Sequence, residues 1–427
     1  MKFKQGIFYG WFIVSISLVI MTVAYSVYFS WPVFYVAILR DFGWSRAGTA
    51  VIFSVGSIAY AFGSVVSGFL FDRFGPRKLF ITAAIILIIG AVGCSRATEI
   101  WQLCLFFGFF IGFGTASCGF VPNVAMIARW FEKRRATAIG IAHMGTRDSF
   151  ILAPVIQISI LAFGWQNSYL LLASAVAVII IPLSLFLRAK PEDMGFLPDG
   201  RTTAEEKADT KEGEADSLIL DTKWLAREWT LSKAIRTHQF FAFFLIMTGA
   251  GFTSGAFINH LVALVTDFGF SAMFAASLLL IYAITAVVGR CCAFVSDLIS
   301  RERTFTLAMA MMLLPLPVLF MTKDASAPWM LYIFISGFGF GSGLYGPTYA
   351  ASVADLFQGS RFGTIIGSAN IGYGLGAAVG TWLYGYIFDT TGAYTLAVVI
   401  VGIALCIMCV SIWIASPRKA SHSWSKS

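Results

Sequence analysis

Several side chains able to carry charge, among them Arg290, His260 and Arg147, lie inside long apolar stretches of this sequence. A charged residue at the centre of a membrane helix costs about 2.5–3.5 kcal/mol on insertion scales, so each needs a ligand or a partner. Arginine stays protonated and presents a planar fork of N–H donors that fits a carboxylate. Histidine can gain and lose a proton near neutral pH. These residue types predict an anion-binding site with proton chemistry beside it; the competing interpretation is polar contacts between helices.

Arg290 is the strongest of these candidates. It lies seven residues before Asp297, hence about 10 Å inside that end of its apolar run at a rise of 1.5 Å per residue. A carboxylate could pair with its guanidinium through two hydrogen bonds, and an acid on a neighbouring helix could do the same without any ligand. A tyrosine hydroxyl can complete the hydrogen bonds that an arginine leaves open on a carboxylate. The predicted binding residues are Arg290, His260, Asn259, Tyr28, Asn123, Tyr345, Asn370, Tyr373 and Arg147.

The stretch around Arg147 is unusual for an apolar segment. In an α-helix His143 and Arg147 share one face, whereas Asp148 points about 100° away. One hypothesis makes Arg147 a second cationic contact for the ligand. Another makes Asp148 a proton carrier, a role for which His260 is the other candidate. A third pairs Arg147 with an acid on another helix.

The composition places the chain in a membrane. Of 427 residues, 58% are hydrophobic and only 12% are charged, whereas a soluble domain carries about 25% charged residues. The net charge of +8 is not arranged as a basic block interleaved with aromatic residues, which argues against a nucleic-acid partner. The seven cysteines lie in apolar runs without metal-ligand spacing, and no enzyme motif is present. We therefore expect neither an enzyme nor a metal or cofactor.

Twelve apolar segments of spanning length lie six on each side of a polar stretch. This pattern predicts an all-α membrane protein with twelve transmembrane helices in two pseudo-symmetric six-helix bundles. Lys and Arg residues are concentrated on one side of the segments, which puts both termini and the polar stretch in the cytoplasm. Within that stretch, 217–236 is either a short interfacial helix or a solvated linker. The predicted divisions are 1–188 and 239–416 for the bundles, 189–238 for the cytoplasmic linker and 417–427 for a cytoplasmic tail.

The two halves of the sequence repeat. The glycines at 112, 114 and 119 recur at a common offset as glycines 339, 341 and 346, and Arg134 recurs as Arg361 at that offset. Chance similarity of glycine-rich apolar sequence does not explain a shared offset across several residue types. Parallel six-helix repeats with a binding site near the midplane are the architecture that such symmetry predicts.

A short basic turn, Gly68 to Lys78, separates the second and third segments. Its pattern, G-x-x-x-D-R-x-G-x-R-K, resembles the loop between helices 2 and 3 of major facilitator superfamily transporters. The resemblance implies inter-helix ion pairs that lock a cytoplasmic gate. The residues it implicates are Asp72, Arg73, Gly75, Arg77, Asp297, Arg134 and Arg361.

Further motifs narrow this resemblance. Tyr9-Gly10-Trp11, the stretches 40–46 and 190–200, and above all Trp130 to Gly140 are similar to the monocarboxylate transporter and oxalate/formate antiporter branch. The resemblance implies a secondary transporter of small monocarboxylates such as lactate or pyruvate, driven by proton symport through alternating access. Arg290 would then hold the carboxylate. We expect a multi-pass monomer in the cell inner membrane, with the substrate, protons and lipid as its partners.

The alternative within this branch is a carboxylate exchanger of the oxalate/formate type. Arg290 and Arg147 would then meet the two carboxylates of a dicarboxylate. Some family members also carry a lysine in the first or eleventh helix, and this chain has none in either apolar span. That departure weakens the exchanger interpretation.

Overall fold

The computed structural model describes residues 8–131, 135–194, 229–322, 324–357 and 362–415. Within these ranges the helices group into twelve, which we number in chain order. They are α1 (Tyr9–Phe42), α2 (46–74), α3 (76–94), α4 (100–130), α5 (135–163), α6 (165–185), α7 (His238–Asp267), α8 (Ala272–Cys291), α9 (Arg301–Met321), α10 (Pro328–Leu356), α11 (Phe362–Thr391) and α12 (Thr395–Ala415). The predicted all-α class is confirmed, and the twelve helices are consistent with the predicted membrane fold.

Single residues with unusual backbone angles separate some of these helices. Gly75, with φ 75° and ψ 170°, divides α2 from α3, and Gly164, with φ 80° and ψ 161°, divides α5 from α6. Glycine adopts such angles without a steric cost, since it has no Cβ atom. The tight turn predicted for the Gly68 to Lys78 stretch is therefore confirmed at Gly75. The residue before α9, Ser300, also has a positive φ, of 152°, although it is not a glycine.

Several helices depart from regular α-helical winding, and three of them carry candidate residues. The middle of α4 is a π-helix, Cys104–Ile111, followed by a break at Gly119, and α7 contains a shorter π-helix, Ser254–Ile258. In α5 the α-helix Arg135–His143 gives way to a turn and a 3₁₀ helix, Arg147–Leu152. Such interruptions occur often at functional sites, and all three include or adjoin candidate residues.

Glycines bring pairs of helices into backbone contact. A Cβ atom at Gly376 of α11 would lie 2.0 Å from the carbonyl oxygen of Thr248 on α7. A Cβ atom at Gly343 of α10 would lie 2.0 Å from the carbonyl oxygen of Ala286 on α8. Small residues at such contacts allow membrane helices to approach closely. Glycines at these positions therefore allow α7 to pack closely against α11 and α8 against α10.

The chain divides into two compact units. Unit 1 is drawn from Met1–Phe29, Phe62–Ser149 and Gln166–Leu218, and unit 2 from Ser30–Ala61, Phe150–Trp165 and Ile219–Ser427. Unit 2 therefore contains the second parts of α1 and α5 and the first part of α2 together with α7 to α12. The predicted division into bundles 1–188 and 239–416 remains a prediction.

Eight continuous helical stretches in the described ranges are long and apolar enough to cross a membrane. Two of these stretches span more than one numbered helix. Arg46–Cys94 holds α2 and α3, and Phe150–Leu185 holds the second part of α5 and all of α6. Most of the predicted linker, including 217–228, lies outside the described residues. Where the description resumes, Trp229 is buried against Phe357, and a short helix, Leu231–Ala234, precedes α7.

Candidate functional site

Arg290 lies near the carboxyl end of α8, where this helix is pressed against α10. A Cβ atom on the preceding Gly289 would lie 2.2 Å from the carbonyl oxygen of Phe340, so residue 289 must face α10. Successive helical residues are rotated by about 100°, which turns Arg290 away from the line of contact. Its side chain is half-buried in a strongly apolar helix. A cation near the carboxyl end of a helix also interacts favourably with the helix dipole.

Asn259 and His260 occupy the break in α7 that follows the π-helix. Both are buried, and both contact Thr381 on α11. Asn259 Nδ2 donates to Thr381 Oγ1 over 3.0 Å, and His260 Nε2 lies 2.9 Å from the Thr381 carbonyl oxygen. These contacts join α7 to α11, so the structure supports a helix-bridging role for both residues beside the predicted binding role.

The tautomer of His260 follows from its partner. A backbone carbonyl oxygen only accepts hydrogen bonds, so Nε2 carries the hydrogen in the neutral ring. His260 Nδ1 is then an acceptor, and it has no hydrogen-bond partner among the described residues. The ring packs between those of Tyr35 and Tyr384, with centroid distances of 5.0 Å and 5.1 Å.

The remaining candidates of unit 2 lie on α10 and α11. Tyr345 is buried, with its ring centroid 6.1 Å from that of Phe305. Asn370 and Tyr373 lie one turn apart on α11, and both are half-buried. A Cβ atom on Gly251 of α7 would lie 1.9 Å from the Tyr373 carbonyl oxygen, so this part of α11 is fixed against α7.

Tyr28 and Asn123 belong to unit 1, and both are buried. The Tyr28 ring stacks on Phe107 with centroids 6.0 Å apart. Asn123 follows the break in α4, where its Nδ2 donates to the carbonyl oxygens of Cys118 and Gly119 over 2.8 Å and 2.7 Å. Its Oδ1 has no hydrogen-bond partner within the described part of the chain. Asn123 therefore stabilises the break and retains a buried acceptor.

The prediction that His143 and Arg147 belong to one continuous α-helix is wrong. The first α-helical part of α5 ends at His143, and Arg147 begins the 3₁₀ helix. At the intervening Gly145 a Cβ atom would lie 2.4 Å from the carbonyl oxygen of Leu18, so α5 meets the backbone of α1 where its winding changes. For Arg147 and Asp148 the structure describes the backbone alone, and their binding and proton-coupling roles stay predictions.

The turn between α2 and α3 carries one ion pair of unit 1. Arg129 Nη2 near the end of α4 lies 2.6 Å from Asp72 Oδ1, and its guanidinium lies 4.9 Å from the Phe71 ring. Both charged side chains of this pair are exposed, Asp72 more than Arg129. Arg73 is exposed and Arg77 is half-buried. The sequence motif indicated a gate role for Asp72 but did not indicate Arg129 as its partner.

The corresponding turn in the second half has the opposite arrangement of charges. Arg301 begins α9, and its Nε lies 3.1 Å from Oδ2 of Asp355 near the end of α10. Its Nη1 donates to Ser296 Oγ over 2.7 Å. In the second half the cation, Arg301, belongs to the turn and the carboxylate, Asp355, belongs to α10. In the first half the carboxylate, Asp72, belongs to the turn and the cation, Arg129, belongs to α4. Of the other predicted gate residues, Asp297 is described by its backbone only, and Arg134 and Arg361 lie outside the described residues.

The structure also brings together a polar cluster that the sequence patterns did not indicate. Arg46 Nη2, at the start of α2, lies 2.8 Å from Oδ1 of Asp267 at the end of α7. The backbone N–H of Arg46 donates to Oδ1 of Asp389 on α11 over 3.0 Å. Only Ser45, a residue type that favours helix starts, signals that a helix begins here. Nothing in the sequence connects Arg46 to an acid 343 residues away.

The described residues contain no group of three His, Cys, Asp or Glu side chains that could hold a metal ion. The seven cysteines are free. The side chains of the candidate residues can form hydrogen bonds and ion pairs and can exchange protons.

Comparisons with known proteins identify the fold. The family model of the major facilitator superfamily matches residues 16–381 and, in a second match, 291–427. A crystal structure of a bacterial homologue of the human lysosomal transporter Spinster, inward-facing and occupied, superposes with a TM-score of 0.70 at 15% identity. The superposition covers 97% of this chain and 98% of the homologue's chain.

Relatives in sequence carry a more specific description. Monocarboxylate transporter 13 of Bos taurus is 28% identical over 396 residues, which is 92% of this chain and 86% of that protein. Monocarboxylate transporter 2 of Homo sapiens is 26% identical over 401 residues, covering 90% and 81% respectively. These matches and the helical architecture confirm the resemblance found in the sequence, and the chain belongs to the major facilitator superfamily.

Proposed function

We propose that this chain is a secondary active transporter that carries small monocarboxylates, of the size of lactate or pyruvate, together with a proton. The observation that carries the proposal is Arg290, a permanently charged and half-buried side chain in an apolar membrane helix. Relatives described as monocarboxylate transporters align with about nine-tenths of the chain, which supports this substrate class. Two six-helix halves, 1–188 and 239–416, would rock about a central site to move the substrate.

Arg290 suits a carboxylate through its geometry. The guanidinium fork donates two parallel hydrogen bonds to the two carboxylate oxygens, which fixes the orientation of the acid as well as its charge. The other candidates of unit 2 on α10 and α11, Tyr345, Asn370 and Tyr373, are neutral. Arg290 is the one permanent cation among these unit 2 candidates, and its fork pairs with one carboxylate. The relatives described as monocarboxylate transporters favour a monocarboxylate over the oxalate type of exchange.

We assign the contacts from the first half to Tyr28, Asn123 and Arg147. Asn123 contributes the most specific chemistry, because its buried Oδ1 lacks a donor among the described residues. A hydroxyl group next to the carboxylate, as in lactate, could supply that donor. Tyr28 supplies an aromatic wall and a hydroxyl, and Arg147 supplies positive charge on the broken part of α5.

We assign proton coupling to His260, with Asp148 as the second candidate. His260 Nδ1 is the atom that would take up the proton, because Nε2 already donates to Thr381. Asn259 holds the adjacent hydroxyl of Thr381 and so fixes the position of the α11 backbone that His260 contacts. A proton on Nδ1 would compensate the negative charge of the substrate during reorientation.

We further propose a cell inner membrane location, a monomer, and both termini in the cytoplasm. The placement of Lys and Arg supports this orientation. Arg73, Arg77 and Arg129 lie at one end of their helices, and Arg40 and Arg46 lie at the other end of α1 and α2. The family and its relatives are transporters, and we propose no enzymatic reaction.

Uptake by the purified protein in liposomes tests the proposal. We expect radiolabelled lactate or pyruvate to accumulate when the outside is acidic, and accumulation to fall when a protonophore dissipates the gradient. Empty liposomes are the control for passive entry of the protonated acid. Uptake that requires a carboxylate inside, and ignores the pH gradient, would contradict symport and identify an exchanger. Absence of uptake for all short monocarboxylates would contradict the substrate class.

A further inference from the structure

We propose that Arg46 is the latch of an outer gate, and that its contacts with Asp267 and Asp389 break whenever the binding site opens to the outside. The inference rests on the proposed transport function in one respect, namely that a carrier must open to both sides of the membrane. Every contact used below lies within unit 2, which joins residues 30–61 of the first half with helices of the second half.

The backbone at the start of α2 is fixed by α11. The N–H groups of Arg46 and Ala47 donate to the two oxygens of the Asp389 carboxylate over 3.0 Å and 2.7 Å. A carboxylate at a helix N-terminus satisfies donors that have no intrahelical partner and interacts favourably with the helix dipole. One turn before Asp389, a Cβ atom on Gly385 would lie 2.9 Å from the carbonyl carbon of Arg46. Glycine at 385 therefore permits the approach of α11 that this cap requires.

The side chain of Arg46 contacts α7, α11 and the residue before α12, all in the second half. Its Nη2 lies 2.8 Å from Asp267 Oδ1 on α7, and Nη1 donates to the hydroxyl of Tyr394, just before α12. Its guanidinium carbon lies 3.8 Å from the ring centroid of Phe388 on α11, which is a cation–π contact. The side chain is only 16% exposed. Arg46 is thus enclosed by second-half residues, although it belongs to a helix of the first half.

These contacts lie between elements that a rocking mechanism must separate. In a carrier built from two six-helix repeats, one repeat moves against the other around the central site. Arg46 and Ala47 belong to the first repeat, whereas Asp267, Asp389 and Tyr394 belong to the second. The placement of Lys and Arg puts this end of α2 on the outer side. Opening to the outside therefore has to release Arg46 from both acids.

The latch also covers His260. The Tyr35 hydroxyl donates to the Arg46 carbonyl oxygen over 3.1 Å, and the Tyr35 ring packs on His260. On the other side, Tyr384 packs on His260 and stacks on Tyr394 with centroids 4.8 Å apart. His260 is 1% exposed beneath these rings. Release of Arg46 would free both tyrosines and open His260 to protons from outside.

Cysteine accessibility tests the latch without any substrate. The reporter is Ser57→Cys on α2, a position that a reagent can reach only when α2 separates from α11. Ser57 is 2% exposed, and a Cβ atom on Gly374 of α11 would lie 3.0 Å from the Ser57 carbonyl oxygen. A membrane-impermeant maleimide is added from the outer side of right-side-out membranes. The same variants without the reporter correct for the native cysteines.

We expect Arg46→Gln and Asp389→Asn to raise the labelling rate of the reporter roughly tenfold or more, since each removes charge-assisted hydrogen bonds. The matched control is Arg40→Gln, which removes the same charge from an exposed position at the same end of the protein and should leave labelling unchanged. Arg46→Lys keeps the charge and loses the fork, so an intermediate rate is expected. Elution as a single monodisperse species establishes that each variant is folded.

Unchanged labelling in folded Arg46→Gln and Asp389→Asn would overturn the latch. Equal increases in these variants and in Arg40→Gln would also overturn it, because the effect would then be one of surface charge. The outcome is separable from the proposed function. Labelling as expected, in a protein that takes up no monocarboxylate, would leave the latch standing and refute the substrate.

Discussion

Ser300 provides a test of the structure in which two substitutions at one position have opposite effects. It precedes α9 with φ 152° and ψ 159°, and it is the single non-glycine residue with positive φ in the described ranges. This region of backbone space is essentially restricted to glycine and costs other residues about 1–3 kcal/mol. The Ser300 hydroxyl also accepts a hydrogen bond from the Arg303 N–H over 3.2 Å. The residue therefore combines a strained backbone with a favourable helix cap.

The two effects can be weighed against each other. Replacing a serine cap by glycine costs only a few tenths of a kcal/mol, whereas replacing it by alanine costs about 1 kcal/mol. Ser300→Gly removes the strain at this small cost and should stabilise the protein by about 1–2 kcal/mol. Ser300→Ala keeps the strain and loses the cap, so it should destabilise the protein by about 1 kcal/mol.

Thermal unfolding of the detergent-purified protein measures both variants against the parent. We expect the midpoint to rise by roughly 1–3 °C for Ser300→Gly and to fall for Ser300→Ala. The reciprocal control is Gly75→Ser, which places a side chain at φ 75° in the equivalent turn and should lower the midpoint. A lower midpoint for Ser300→Gly would show that the backbone at residue 300 is not strained, and would refute the reasoning.

Two further substitutions test the helix contacts that support the site. Gly343→Ala should destabilise the protein by about 1–3 kcal/mol, because the new Cβ would lie 2.0 Å from the Ala286 carbonyl oxygen. Gly346→Ala on the same helix meets no atom within 4 Å and should be neutral or stabilising in the same melting assay. Thr381→Val should cost about 1–3 kcal/mol, since it leaves the buried amide of Asn259 without its partner. Thr381→Ser keeps the hydroxyl and should cost clearly less, so equal losses for both variants would exclude the hydrogen bond as the cause.

The sequence predicted the features that depend on local pattern. Apolar segments of spanning length predicted the helices, and the D-R-x-G turn predicted the break at Gly75, because each requires only neighbouring residues. The interruption of α5 could not be predicted in this way. It coincides with the contact between Gly145 and the backbone at Leu18, and this contact exists only after α1 and α5 have packed.

The same limit applies to charged residues. Arg290 could be found because a cation in an apolar segment is conspicuous in the sequence. Arg46 could not, because it lies at a segment end, where charges are common, and its partners Asp267 and Asp389 are distant in the chain. His260 was identified as polar and buried, but its bond to Thr381 depends on the packing of α7 on α11.

The most direct test of the account is the affinity of the purified protein for pyruvate before and after removal of the Arg290 guanidinium. A charge-assisted hydrogen bond contributes about 1.5–3 kcal/mol, so Arg290→Gln should weaken binding at least about 10- to 150-fold. Arg290→Lys should weaken it less, because the charge remains. Equilibrium binding of radiolabelled pyruvate to detergent-purified protein measures this without the need for transport. Unchanged affinity in a folded Arg290→Gln variant would contradict the assignment of Arg290 as the carboxylate anchor.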